Sequence, residues 1–337
     1  MLLLSPIFPD LLYAIIDDPA LHIPDGFLSI SISIIFWVIT IVLLGVAVRQ
    51  TRGQLGERQI PLMGIMAAFI FAAQMLNFPV AGGTSGHMLG GALAAITLGP
   101  WAGMLVMASV IALQALLFQD GGLLVMGANI FNMGLLTALI GYGLYRNVAG
   151  QSNGVRLAVA GIAAWLSVIA GALTTSLQLG FSGTSPFGIV LPALLGVHVL
   201  IGIGEALITV AALAFIMRTR PDLLGAAAVK ARGGSGWVVT GLIIALAVVL
   251  FSPLASADPD GLERVAENIG FLGQGQAAPY TILPDYAIPF LGQTPVSTIV
   301  AGLIGALIVA AIAYGAGRLL SRPAPGAAAK TGQPASR

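Results

Sequence analysis

Long apolar runs separated by short polar breaks dominate the chain. The first, residues 27–48, is closed by Arg49, Arg52 and Arg58. Others cover 61–77, 88–98, 101–118, 123–145, 157–179, 187–217, 237–254 and 296–314. Crossing the hydrocarbon layer takes about 20 apolar residues in a helix. Most of these runs suffice; 88–98, stopped by Gly99-Pro100, is short for one. Backbone amides in lipid must be satisfied within their own segment, so helices are the expected form. The pattern predicts an all-α, polytopic membrane helical bundle of about seven spans. A linker at 221–236 and a two-span C-terminal module at 237–320 follow, then an Ala/Pro/Gly-rich tail at 321–337 expected to be disordered. Residues 1–21 break the pattern. Pro6, Pro9, Asp10, Asp17 and Asp18 interrupt them and no basic stretch precedes them, which makes a poor signal peptide and a poor span.

Composition agrees and narrows the choice. The chain is 58% hydrophobic and 8% charged, against about 25% charged in a soluble domain. It has no cysteine, which excludes disulfides, zinc–thiolate sites and iron–sulfur clusters within the chain. A net charge of +1 predicts no nucleic-acid partner, and membrane lipid is the expected surrounding. The placement of charge says more than its sum. With the Arg49–Arg58 side taken as inside, alternation of the segments puts all 14 basic residues except Arg264 on that side. Ten of the 13 acidic residues fall on the other, although only the basic bias is a topology rule. This partition counts 88–98 as a crossing, for about nine in all. It predicts a multi-pass protein of the cell (inner) membrane, with the N-terminus, His87 and the 255–295 loop outside and the C-terminus in the cytoplasm.

The candidate chemistry is sparse. Residues 82–91 read GGTSGHMLGG, with five glycines around one of only three histidines. Such a segment can approach other groups closely; His87 reads as a ligand there or as a side chain bonded to a carbonyl in a tight turn. His22, in LHIPDGF before the first span, falls on the same side, so these two imidazoles can meet. Histidine is the common imidazole ligand of nickel, cobalt, copper and zinc. His198 and Glu205 lie seven residues apart inside an apolar run, on one helical face. They read as a relay or transit site, or as buried polar groups that fix packing, the second being preferred for Glu205. Gln114, Asn129 and Asn132 flank Gln119-Asp120-Gly121-Gly122 and could orient a ligand or join helices. Gly83-Thr84-Ser85-Gly86 matches the GxSG nucleophile pattern of rhomboid proteases, with Ser85 as nucleophile and His198 as a distant base. In a chain with 44 glycines a four-residue match carries little weight.

Four segments together resemble one family. HIPDGFL (22–28), NFPVAGGTSGHMLGGALAAITLGPWAG (77–103), DGGLLVMGANIFNMG (120–134) and HVLIGIGEALIT (198–209) are similar to the CbiM/NikM family. These are the substrate-specific membrane components of energy-coupling factor importers for cobalt or nickel. SPLASADPDGLERVAENIGF (252–271) resembles the PDGLE region of the small partner protein CbiN/NikN, so the chain resembles a fusion of the two. The resemblance implies a transport component and not an enzyme, with Co(II) or Ni(II) as transported substrate. It implies partners of the CbiQ/NikQ kind (a transmembrane coupling subunit) and the CbiO/NikO kind (ATPases); no G-x-x-x-x-G-K-[ST] is present to bind ATP here. It also implies a metal site at the family's mature N-terminus, where the terminal amine, the amide nitrogen and imidazole of a histidine, and a second histidine after the GTSG turn chelate the ion. Carried over, these are His22 and His87, with His198, Glu205, Ser85 and Asn77 as supporting or transit residues. Four nitrogens in a plane suit Ni(II), or Co(II) at a strong-field site, and disfavour tetrahedral Zn(II). The departure is that His22 follows 21 residues, and an internal Leu21-His22 amide is no terminal amine. Either Leu21 is a translated alternative start or the leader is cleaved after Ala20; the former is preferred. The other readings are a vitamin-specific component of the same importer class and the GxSG protease.

Overall fold

The computed structural model describes residues 22–224 and 236–321. The leader 1–21, most of the 221–236 linker and the tail from 322 onward lie outside the described residues. Helices α1 (Ile30–Thr51), α4 (Pro100–Phe118), α5 (Met126–Val148), α6 (Asn153–Ser182), α7 (Phe187–Thr219), α8 (Gly236–Leu254) and α10 (Pro295–Leu320) are long and apolar enough to cross a membrane. Three shorter ones complete the set: α2 (Gln59–Gln74), α3 (Gly91–Leu98) and α9 (Gly261–Ile269). The protein is an all-α, multi-pass bundle, as the apolar pattern predicts.

The segment expected to cross at 88–98 differs from a regular span. Its helix α3 has 8 residues, all buried, and rises only about 12 Å. The chain reaches it through an antiparallel hairpin, β1 (Phe78–Val80) with β2 (Thr84–Gly86), and then the non-helical stretch 87–90. Gly90, at φ 84°, starts α3. Gly99, at φ 85°, stops it and presents Pro100 at the first turn of α4. An irregular stretch inside a bundle is tolerated only where protein or a cavity surrounds it. Two further irregularities are π turns, at Gln114–Phe118 in α4 and Ile130–Leu135 in α5; such bulges frequently mark functional sites.

The ends of the bundle differ in character. Gly53 donates to the Leu320 carbonyl at 2.7 Å, and Arg58 reaches Asp222 at 3.2 Å, beside the Arg220–Asp222 pair. Tyr145 clusters with Met217 and Leu224. The basic residues at the ends of α1 (Arg49, Arg52), α5 (Arg146), α7 (Arg218, Arg220) and α10 (Arg318) therefore share one end. Residues 22–27, the hairpin and the loop between α8 and α10 share the other, where Arg264 reaches Gly83.

The C-terminal segment is built into the bundle. Helix α10 lies against α2 with Gly305 facing Phe71 and Phe118. A Cβ at 305 would stand 2.3 Å and 2.6 Å from the Cζ atoms of those rings. The rings in turn meet Tyr286, which stacks on Phe118 at 4.6 Å. Replacing Gly305 by leucine is expected to part this packing at a cost of roughly 1–3 kcal/mol, read as a lower melting temperature of the detergent-solubilised protein. An unchanged melting curve would mean that α10 does not sit this close.

Candidate metal centre

His22 is held by a loop almost a hundred residues away. Asn129 makes a reciprocal pair with the backbone of Ile23: its Oδ1 accepts from Ile23 N at 3.1 Å, and its Nδ2 donates to Ile23 O at 3.0 Å. Asp25 accepts from the backbone N–H groups of Leu123, Leu124 and Val125 at 2.9–3.2 Å. A carboxylate at the start of α5 satisfies otherwise orphaned donors and favours the helix dipole. The segment can lie this close because residue 122 is glycine; a Cβ there would stand 2.1 Å from Asp25 Oδ1.

The His22 ring is thereby buried, 2% exposed, against Asp120. Its Nδ1 lies 3.0 Å from the Asp120 carbonyl oxygen and 3.1 Å from Oδ1. Both are acceptors, so Nδ1 carries a proton, and in the neutral ring Nε2 carries the lone pair. Nε2 is buried with no hydrogen-bond partner among the described residues. Burial by itself pushes the imidazole down, but the Asp120 charge and hydrogen bonds outweigh it and hold His22 above its ordinary pKa. Burial likewise works to raise Asp120, and the charge and hydrogen bond of His22 with the Tyr286 hydroxyl hold it below the usual carboxylate range.

His87 comes from the other side. Its ring meets the ring of His22 edge to face, with centroids 5.7 Å apart and planes at 88°. It is 7% exposed, and its Nδ1 lies 3.1 Å from the Met88 carbonyl oxygen. Glu205, on α7, holds the stretch that carries it: its carboxylate accepts from Leu89 N at 2.6 Å and Gly90 N at 2.9 Å. The carboxylate thus sits on the backbone next to His87.

The rings of His22, His87 and His198 all line one cavity of about 70 Å³. His198 bonds the Leu194 carbonyl through Nδ1 at 2.8 Å. Asn129 and Asn132 are also in the lining, and Asn132 pairs reciprocally with Gln178 of α6 at 2.7 and 2.9 Å. Asp260 and Gly261 close the cavity from the C-terminal loop. Asp260 caps α9 with Glu263 in a reciprocal capping box, and burial pushes its carboxyl up to about 7. Among the described residues no three His, Asp or Glu side chains are grouped to hold an ion.

Two predicted residues lie elsewhere. Ser85 is buried, and its hydroxyl donates to the Asp258 carbonyl at 2.7 Å while its N–H donates to Pro259 O at 2.8 Å. Its hydroxyl is spent on docking the C-terminal loop, which removes the nucleophile reading. Asn77 sits at the base of the hairpin, where its carbonyl accepts from Ser256 N at 2.8 Å; it does not line the cavity.

Comparison with known proteins decides the family. The profile of the CbiM cobalt uptake substrate-specific transmembrane region matches residues 22–223, and that of the PDGLE domain matches 235–322. The chain belongs to the CbiM family. A chain of Archaeoglobus fulgidus named for fused nickel transport (NikMN) is 38% identical over 301 residues, covering 87% of this chain and 97% of its own length. The fused nickel transport protein NikMN of Rhodobacter capsulatus is 29% identical over 90% of this chain and 100% of its own. A crystal structure of a transition metal transporter superposes with a TM-score of 0.55 at 31% identity, covering 63% of this chain and 100% of that one. The CbiM family and these relatives are transport proteins and not enzymes, and this member carries its PDGLE domain on the same chain.

Within this CbiM-family bundle, the sequence singled out His22, His87 and His198 and missed Asp120 and Asp260 as neighbours of the histidines. Asp120 sits in a glycine turn and Asp260 in a capping box, so each has a local explanation that hides its long-range partner. The hold of Glu205 on the His87 segment is testable. Glu205→Ala strands two buried N–H donors and is expected to cost about 2–4 kcal/mol. Glu205→Gln, which keeps an acceptor, should lose less. Thermal melting in detergent checks this; equal melting of both variants with wild type would remove the role.

Proposed function

We propose that the chain is the substrate-binding membrane component of an importer for cobalt or nickel ions, and that His22 and His87 grip the ion. One observation carries this reading: two buried imidazoles from distant parts of the chain meet at 5.7 Å beside one small cavity. The names of the relatives supply the class of ion; cobalt transport by CbiM of Geobacter sulfurreducens (29% identical over 74% of this chain) stands beside the nickel proteins above. Both ions accept imidazole and main-chain nitrogen, so the donor set fits either. A cavity of about 70 Å³ holds an ion and one or two waters at about 30 Å³ each. It does not fit a vitamin, whose pocket would be of the order of 300 Å³ or more.

As the His22 ring stands, Nε2 is the donor it offers. A chelate through the residue's own amide nitrogen closes only through Nδ1 and requires a half-turn about Cβ–Cγ. Such a chelate also needs a free amine beside His22, supplied by a start at Leu21 or by cleavage of the leader. The end carrying the histidines faces outside and the Arg-rich end faces the cytoplasm, on the basic-residue rule. Uptake is driven by ATP through a coupling subunit and ATPases of the energy-coupling factor class, because no phosphate-binding loop is present in this chain. The PDGLE loop, which supplies Asp260 to the cavity wall, admits and encloses the ion.

Calorimetry with Ni(II) and Co(II), on protein whose N-terminus has been determined by mass spectrometry, tests the reading. His22→Ala and His87→Ala should each weaken binding by more than about 100-fold, beyond what a supporting partner is worth. Undiminished binding in either variant would overturn the assignment of that ligand.

A further inference from the structure

The long C-terminal loop does more than cover the cavity. Between residues 280 and 286 it runs along the end of α4. Tyr280 OH donates to the Leu116 carbonyl at 2.9 Å, and Leu283 N donates to the Leu117 carbonyl at 3.1 Å. Both acceptors belong to the π turn, where helical bonding is interrupted. The loop then delivers Tyr286, 8% exposed, into the interior. Its hydroxyl donates to Asp120 Oδ2 at 2.6 Å and accepts from Gln114 Nε2 at 3.1 Å. Asp120 in turn meets His22 Nδ1. A continuous polar chain, Gln114–Tyr286–Asp120–His22, therefore leads from the C-terminal module to the histidine.

The backbone marks this junction as specified. Among the described residues, three non-glycine residues adopt left-handed φ: Gln119 at 56°, Asp285 at 49° and Tyr286 at 55°. All three flank the Asp120–Tyr286 bond. Such conformations are unfavourable for residues with a Cβ and persist where the surroundings over-determine them, often at functional sites. The Phe118 stack accounts for the ring of Tyr286 but not for its hydroxyl.

We propose that Tyr286 is a positioning residue for His22, acting through Asp120, so that the C-terminal module sets the orientation and proton placement of a metal-gripping imidazole. Asp120 Oδ2 is fixed by Tyr286, which leaves Oδ1 3.1 Å from Nδ1 as a charge contact beside the Asp120 carbonyl that takes the Nδ1 hydrogen bond at 3.0 Å. A ligating histidine commonly depends on such an oriented acceptor at its other nitrogen. The inference rests on reading His22 and His87 as the ligands.

The test is Tyr286→Phe in the full chain, with His87→Ala beside it. Phenylalanine keeps the stack on Phe118 but removes the hydroxyl that serves Asp120 Oδ2 and Gln114 Nε2, so the fold should be kept with a modestly lower melting temperature. Ni(II) affinity by calorimetry should fall by about 10-fold or more, within the range that supporting partners of a ligating histidine are worth. In the metal-free protein, isotope-labelled histidine resolves three rings by NMR. With Asp120 Oδ1 released, only the Asp120 carbonyl holds the Nδ1 proton of His22, so the share of its Nδ1–H tautomer should fall in Tyr286→Phe while those of His87 and His198 stay unchanged, a selective change that a purely structural role would not produce. Wild-type affinity in Tyr286→Phe together with loss of binding in His87→Ala would overturn the positioning role and leave the ligand assignment standing. Binding that survives His87→Ala defeats the ligand assignment, and the tautomer signal then decides the positioning role alone. A lowered melting temperature with an unchanged tautomer signal would overturn it as well.

Discussion

The burial of the His22 imidazole against the Asp120 carboxylate organises the site end of the bundle. Neither group is tolerated away from water without a partner, since an unpaired buried polar group costs several kcal/mol. Their pairing lets a chain segment with little helical character, 22–27, enter between α5 and the C-terminal loop. The surrounding contacts exist to make that entry possible. Asn129 takes both backbone groups of Ile23, Asp25 takes the three amides just before α5, and glycine at 122 leaves room for them. Because a ring proton is directed to Asp120, the opposite nitrogen is left without a hydrogen bond among the described residues.

The second ring is presented by a different device. His87 lies on a non-helical stretch between a hairpin and an 8-residue helix, a conformation that leaves amides without helical partners. Glu205, in the middle of α7, supplies two of them with acceptors. A carboxylate inside a membrane-spanning helix is costly, and here it holds in place a backbone that would otherwise be unsatisfied. The two histidines thus rest on two carboxylates with unlike tasks: Asp120 touches its imidazole directly, and Glu205 shapes the backbone beneath the other.

The C-terminal module joins both halves. Ser85 binds the backbone at Asp258 and Pro259, Arg264 binds Gly83, Gln276 binds Asp25, and Tyr286 binds Asp120. A covering loop that touched only the surface would leave the cavity's chemistry to the first seven spans. This one contributes a carboxyl group to the wall and a hydroxyl to the polar chain behind His22. Fusion on one chain keeps the module beside the bundle at a high effective concentration without new contacts.

The apolar runs by themselves determined that the protein is a helical membrane bundle. The reason is local: each backbone group in lipid is satisfied within its own helix, so length and composition of one segment suffice. The clustering of arginines at alternate segment ends and the family likeness of the histidine segments were legible in the same way. What they left open was decided by packing. Ile23 meets Asn129 across 106 positions and Tyr286 meets Asp120 across 166; no periodicity relates residues so far apart. Asp120 reads locally as part of a turn, Asp260 as a helix cap, Ser85 as a nucleophile pattern and Glu205 as a relay residue or a packing group with no object named. Only when the helices fix the distances between them do two of these become neighbours of histidine and the other two become struts, because a hydrogen bond depends on position in space to within a few tenths of an ångström.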